Sequence, residues 1–278
     1  MFDLDSHLQG SLSAEAAAWL STTEARVGRD PAALPAVFPS LARQLGRTQL
    51  TPEIIQEPNF IVDFGAWRTC DAGGLALIRS ATPDDAQLID LFLHGDFEER
   101  TILLRSLACL SIHEATIQLL GEAQRTNTQV HFEACVCDSD LVARAIDAQL
   151  PTFQAVDGYK VLLKAAFVGV RLQRFFGIER HASSELTRMV TGLATEREAA
   201  GRPIWADTNR VIARAPIEGS LARIRAGLEH ADPEQRLAAA EAVAILGDAE
   251  LIAAAAARLS DEKRPDIRAA LQTAIDSD

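Results

Sequence analysis

Apolar positions along this chain recur at helical spacing almost everywhere. Val161-Leu162-Leu163-Lys164-Ala165-Ala166-Phe167-Val168 is a nearly unbroken apolar run. Val161, Ala165 and Val168 share one helical face, and Leu162 and Ala166 widen it most of the way round. A helix apolar on nearly every side belongs inside a protein with other helices around it. Lys164 interrupts it, and its ammonium must reach water or an anion. A turn over Gly177–Ser184 then leads into a long helix ending near Ala200-Gly201-Arg202-Pro203.

Upstream, residues 12–27 and 31–45 read as a first helix pair, with Pro35 and Pro39 inside the second. Residues 48–74 are the least regular stretch, read as a short helix and a long loop ending in Ala72-Gly73-Gly74. Helices follow over Asp84–Leu93, Asp96–Leu110, Glu114–Gln124 and Gln129–Cys137, separated by breaks short enough to make neighbours antiparallel. Asp30-Pro31, Thr51-Pro52, Thr82-Pro83 and Asp232-Pro233 each read as a cap followed by proline, where no N–H is required. Thr82 with Asp85, and Asp232 with Gln235, have the spacing of a capping box. The best strand candidate is the short Asn59–Phe64.

The C-terminal segment is the most regular. Leu221, Ile224 and Leu228 are followed by Ile252, Ala255, Ala256 and Leu259, then by Ile267, Ala270, Leu271 and Ala274, all on helical stripes. An alanine-rich helix enters at Asp232-Pro233 and halts at Leu246-Gly247-Asp248. Residues 219–275 resemble HEAT-type repeats, at a spacing shorter than the usual ~40 residues; similar short repeats occur in HEAT-like bilin lyases. Each pair leaves an apolar face that only the next can cover. The expected fold is all-α, an α-solenoid of antiparallel helix pairs forming a HEAT-like or armadillo-like right-handed superhelix. Three regions are expected: 1–80 as a helical cap with an irregular segment, 81–215 as the central helical domain, and 216–278 as the repeats.

Composition narrows the function classes. With 278 residues, 48% hydrophobic and 24% charged, the chain is long enough for a good core and is not disordered. No apolar run approaches the ~18 residues of a membrane helix, so direct membrane insertion is not expected. The acidic start, Met1-Phe2-Asp3-Leu4-Asp5, does not read as a signal peptide. Four cysteines imply no disulfide framework, and a cytoplasmic location fits. A formal net charge of −12 argues against nucleic acid, and against a HEAT-like DNA glycosylase, which would need a basic, aromatic-bearing face.

Several constellations invite chemistry. His131 and Cys135 are i, i+4, with Cys137, Asp138 and Asp140 nearby, but the tetrahedral ligand set of a metal site is incomplete. His113-Glu114 lacks the second histidine of a zinc motif, since position 117 is Ile, and Ser111 with Glu114 reads as a helix start. There is no Gly-x-Ser-x-Gly elbow, Walker loop or Gly-x-Gly-x-x-Gly turn, and no cofactor or metal is expected. Ser183, Ser184 and Glu185 read as an N-cap, with Arg180 and His181 before it in reach of an anion. Leu186, Val190, Leu193 and Arg197 place a guanidinium on the apolar stripe. Arg197, Lys164 and Glu133 or Glu196 are therefore expected to cluster between helices, as a ligand or partner site or as an internal ion pair fixing register.

Residues 84–215 resemble the EboA family of bacterial metabolite-traffic proteins. The resemblance rests on Arg125-Thr126-Asn127, Phe132-Glu133-Ala134, Leu163-Lys164-Ala165-Ala166-Phe167 and Gly177-Ile178-Glu179-Arg180. It continues through Glu185-Leu186, Met189, Glu196-Arg197 and Ala199-Ala200-Gly201-Arg202-Pro203. Ser183-Ser184 stands where the family tends to have Asn-Pro. The resemblance implies a non-catalytic adaptor or binding protein in a secondary-metabolite traffic or maturation pathway. Its expected partners are a protein of that pathway, a membrane prenyltransferase among the candidates, and a small-molecule metabolite. Binding candidates are Arg125, Asn127, Glu133, Lys164, Arg180, Glu196 and Arg197. The alternative is a HEAT-like lyase or isomerase acting on a tetrapyrrole or isoprenoid-like molecule.

Overall fold

A computed structural model describes residues 10–276 together with Leu4 and Leu8. Its contacts divide the chain into two compact units, Met1–Gln154 with Arg174–Gly177, and Ala155–Gln173 with Ile178–Asp278. Both are built of helices, so the all-α expectation holds.

The first unit opens with α1 (Ala14–Arg29), whose Ser13 cap accepts from the Ala16 N–H. Residues 31–45 are not the single helix that periodicity suggests. They break into a 3-10 turn at Pro31–Ala33, α2 (Leu34–Val37), a second 3-10 turn at Phe38–Ser40 and α3 (Leu41–Leu45). A proline sits at the first or second position of each of the first three pieces. Lacking an N–H, it is tolerated only where a turn begins, so each proline restarts the helix.

Thr51-Pro52 leads not into a helix but into a hairpin, β1 (Ile54–Glu57) and β2 (Phe60–Asp63), in antiparallel register from Ile54↔Asp63 to Glu57↔Phe60. The strand expected at 59–64 is thus present. The Asp63 N–H donates to Asp138 O, and the Asp140 N–H to Ile61 O. On the far side of this segment the Asp138 N–H donates to Arg174 O and the Phe176 N–H to Ser139 O. Residues 174–177 join the first unit through these ladder bonds.

Next comes α4 (Thr69–Ala81), in which every residue from Thr69 to Ile78 is buried. It runs straight through Gly73-Gly74, which the sequence suggests as the end of a loop. A Cβ on Gly73 would collide with Leu45 Cδ1, and one on Gly74 with Ile102 Cγ2. The glycines therefore let neighbouring helices close on α4, a packing need that outweighs their poor helix propensity. Thr82 caps the C-terminus of α4 in the left-handed region, φ 46°. The capping box lies two residues later than the spacing suggests, between Asp84 and Gln87. It starts α5 (Asp85–His94), followed by α6 (Phe97–Ser106), α7 (Glu114–Arg125), α8 (Gln129–Val136) and α9 (Leu141–Asp147). Helices α1, α4, α6 and α8 pack one on the next in a row, and α5 packs on α7 beside it.

The second unit contains α10 (Ala155–Val168), α11 (Ser184–Ala199), α12 (Thr208–Arg214) and α13 (Ser220–Leu228), then α14 (Pro233–Leu246), α15 (Ala249–Leu259) and α16 (Pro265–Asp276). The Ser183 cap accepts from the Leu186 N–H, as its spacing suggests. Here α12, α14 and α16 form one row, and α13 and α15 the other. α14 touches neighbours on several sides, and its Ala238, Ala239, Ala240 and Ala242 are buried because only small side chains fit there. One apolar core runs from Ile212 and Ala213 through Ile224, Leu228 and Val243 to Leu271 and Ala274. Among the described residues, no helix is long and apolar enough to cross a membrane.

Candidate functional site

Charge in the first unit gathers around the start of α4. The side chain of Asp71 is fully buried and is gripped bidentately by Arg68, at 2.8 and 3.0 Å, and by Arg105 at 2.9 Å. Arg105 also donates to the Ala66 carbonyl, and Arg68 reaches Glu98 at 2.6 Å. Arg174 forks onto Asp138 at 2.6 and 2.8 Å and pairs with Glu133. Burial raises the Glu133 carboxyl, but hydrogen bonds from Arg174 and Gln129 outweigh it and hold the group below its ordinary value. Buried carboxylates so closely matched to guanidinium donors fix helix register. Glu133 thus serves as a partner of Arg174, a residue with no periodic signal in the sequence, because its role depends on the 138–140 segment 36 positions away.

The other sequence candidates are spread out. Arg125 is exposed at the end of α7, 2.6 Å from Glu122, and Asn127 is exposed in the following loop. Glu133 belongs to the first unit; Lys164, Arg180, Glu196 and Arg197 belong to the second. Arg180 and Glu196 are exposed. Arg197 is half-exposed rather than buried; its Nε donates to the Pro203 carbonyl at 2.5 Å and its guanidinium lies 5.7 Å from the Phe167 ring centre. The stripe that starts at Leu186 reaches Arg197 in the last turn of α11, where the helix meets solvent and the 201–203 turn folds back. Lys164 is half-buried, and burial lowers its pKa.

No group of His, Cys, Asp and Glu suited to a metal ion occurs among the described residues. His131 Nε2 is 2.9 Å from the Phe97 carbonyl oxygen, and Cys135 and Cys137 are buried. Burial pushes the Cys70 thiol up to about 11 and the Cys109 and Cys137 thiols up to about 12.

The second unit holds a cavity of about 240 Å³ between α11, α12, α13 and α14. Its walls are positioned by the loop before α12. There the Trp205 indole N–H donates to Val170 O at 2.7 Å, and Asp207 accepts from Arg210 and from the Leu172 N–H. From this anchored loop and α12 come Ile204 and Asn209. Gly227, on α13, faces Asn209; a Cβ there would lie 2.5 Å from Asn209 Nδ2 and 2.9 Å from Ala239 Cβ. Gln235 does not complete a capping box with Asp232, which accepts instead from the Glu234 N–H. The Gln235 amide turns inward, donating to the Ile204 and Trp205 carbonyls at 3.2 Å. Its Oε1 and the Asn209 Oδ1 are buried and accept no hydrogen bond from the protein.

Charged groups at the rim cancel. Arg223 forks onto Glu198 at 2.8 and 2.9 Å, which holds that carboxyl below its ordinary value. His230 Nδ1 accepts from the Asp232 N–H at 3.0 Å, so the neutral ring carries its proton on Nε2. None of the cavity residues stood out in the sequence except Gln235, read there as a cap. A buried amide is recognisable only once its neighbours are known.

A family model described as metabolite traffic protein EboA matches residues 3–213. No curated protein and no solved structure matches the chain. Glu198, Ile204 and Asn209 lie within the matched stretch, and Arg223, Ala226, Gly227, His230 and Gln235 beyond it. Because the match takes in most of the 278 residues, the chain belongs to the EboA family.

Proposed function

We propose that this chain is a non-catalytic binding protein of a metabolite-traffic pathway in the cytoplasm, and that the second-unit cavity is where it holds its cargo. The cavity carries the reading: it is concave, partly apolar and has a few converging polar groups, the usual anatomy of a small-molecule site. Handing the cargo to a protein partner, a prenyltransferase among the candidates, completes the proposed cycle, with α13–α16 acting as a HEAT-like stack beneath the cavity. Non-catalytic work is supported by the state of the reactive groups. The thiols are held protonated at neutral pH, and Glu198 and Arg223 are engaged with each other.

The test is a plug. Ala226 is exposed on α13 and lines the cavity, so Ala226→Phe fills the mouth at a surface position, where stability changes by only about 0.5 kcal/mol. Native mass spectrometry of protein purified from its own host should show a bound small molecule that the variant lacks, at unchanged melting temperature. Equal cargo on both proteins, or none on either, would overturn the reading.

A further inference from the structure

We propose that a groove in the first unit binds a small organic cation, an apolar body carrying an ammonium group. The groove measures about 350 Å³. It runs between the 3-10 turn Pro31–Ala33 with α2 on one side and Pro83 with the first turns of α5 on the other. Its volume lies within the ~300–1,000 Å³ of small-molecule sites. Buried Leu34 and Leu91 supply its apolar base, and Pro31, Pro35 and Pro83 stand along its walls. Proline fixes its own φ, so these walls keep their shape without a ligand. The groove belongs to a different unit from the cargo cavity, so the inference stands independently of that reading.

Charge selects the occupant. Among the described residues that line the groove, the charged side chains are Asp84 and Asp90, both exposed on the α5 side and both negative. Asp84 Oδ1 accepts from the Gln87 N–H at 2.8 Å, so a carboxylate already occupies the positive end of α5 where an anion would otherwise sit. Asp90 Oδ1 lies 3.1 Å from His94 Nδ1, and with His94 neutral the carboxylate keeps its full charge. The proline walls have no N–H to offer an acceptor. An anion here would meet two like charges and no cation, and a neutral molecule would gain nothing from either carboxylate. An ammonium donates up to three hydrogen bonds and accepts none, the complement of this rim. Because both carboxylates are exposed, the ammonium keeps part of its hydration at the mouth while the apolar body fills the space between the prolines. The chain's net charge of −12 favours the approach of cations.

The experiment titrates full-length protein with three molecules of one shape, 2-phenylethylamine, 2-phenylethanol and 3-phenylpropanoate, followed by ligand-observed NMR. The amine should bind best and the carboxylate worst. Asp90→Asn should weaken the amine about fivefold, the value of one ion pair at a surface, and leave the alcohol unchanged. Raising the ionic strength should narrow the gap between amine and alcohol in the same way. Ala86 is exposed and lines the groove, so Ala86→Phe should close it and abolish binding at unchanged melting temperature. Alcohol or carboxylate binding as tightly as the amine overturns the proposed class, as does an amine indifferent to Asp90→Asn or to salt. Binding of none of the three, or amine binding that survives Ala86→Phe, overturns the site. If Ala226→Phe removes the amine instead, it occupies the second-unit cavity; the inference then falls while the cargo reading stands. A capped Phe-Lys dipeptide that binds more tightly than the amine would give the groove to a protein partner and overturn the small-molecule class.

Discussion

Gly74 and Gly192 show how one residue type carries opposite consequences in two helices. Gly74 lies in α4 against Ile102, which is buried, and its missing side chain is the space that Ile102 occupies. Gly192 lies in α11 with nothing within 4 Å of a Cβ. Gly74→Ala should therefore destabilise the fold by about 1–3 kcal/mol through overpacking, beyond the ~1 kcal/mol that alanine gains in helix propensity. Gly192→Ala should stabilise by up to ~1 kcal/mol. Urea titration of both variants checks the pair, and like signs would refute the packing argument. The sequence pattern favours a loop at Gly73-Gly74 because the atoms that demand glycine lie on α3 and α6. Caps are legible for the contrary reason. Ser183 meets its partner, the Leu186 N–H, three residues away, so the motif contains both halves. The cavity amides at 209 and 235 fall with the glycines, since their meaning depends on residues 18 or more positions away.

Among elements, the α14–α15 pair is held by an ionic clasp that periodicity does not reveal. Glu262, just after α15, accepts from Arg236 of α14 at 2.7 Å, from Arg258 at 3.2 Å and from the Lys263 and Arg264 N–H groups. These bonds, Arg236 first, hold its carboxyl down to about 2 from an ordinary 4.5. A carboxyl depressed in the folded state stabilises above its unfolded pKa and loses that contribution as pH falls through the folded value. The clasp should be fully effective above pH 4.5 and fade towards pH 2. Glu262→Gln should cost about 3 kcal/mol at neutral pH, as expected for removing one partner of a buried ion pair. Melting curves of variant and wild type should converge as the acid limit is approached; a gap independent of pH would refute the ionic account. The helices themselves were readable over 219–275 from their apolar stripes. Their clasp was not, because surface-looking Arg and Glu reveal a partner only when two helices are laid side by side.

For the whole molecule, the family match and the folding core end at different places. The match stops at residue 213, yet Ile212 and Ala213 belong to the core completed by α13–α16. A chain cut after residue 215 would expose that face of α12. It should show reduced solubility and strong binding of an apolar dye, in contrast to the full chain; a soluble, cooperatively melting fragment would argue that the C-terminal helices are dispensable.

The short 174–177 excursion has a kinetic consequence. The first unit is not contiguous in sequence, for Arg174–Gly177 supplies its last ladder bonds and its Asp138 fork only after α10 has been made. During synthesis the N-terminal 154 residues therefore emerge one piece short. They must wait with Asp138 and Glu133 lacking their guanidinium until the ribosome has passed residue 177. Completion of the first unit is thus tied to the birth of the second.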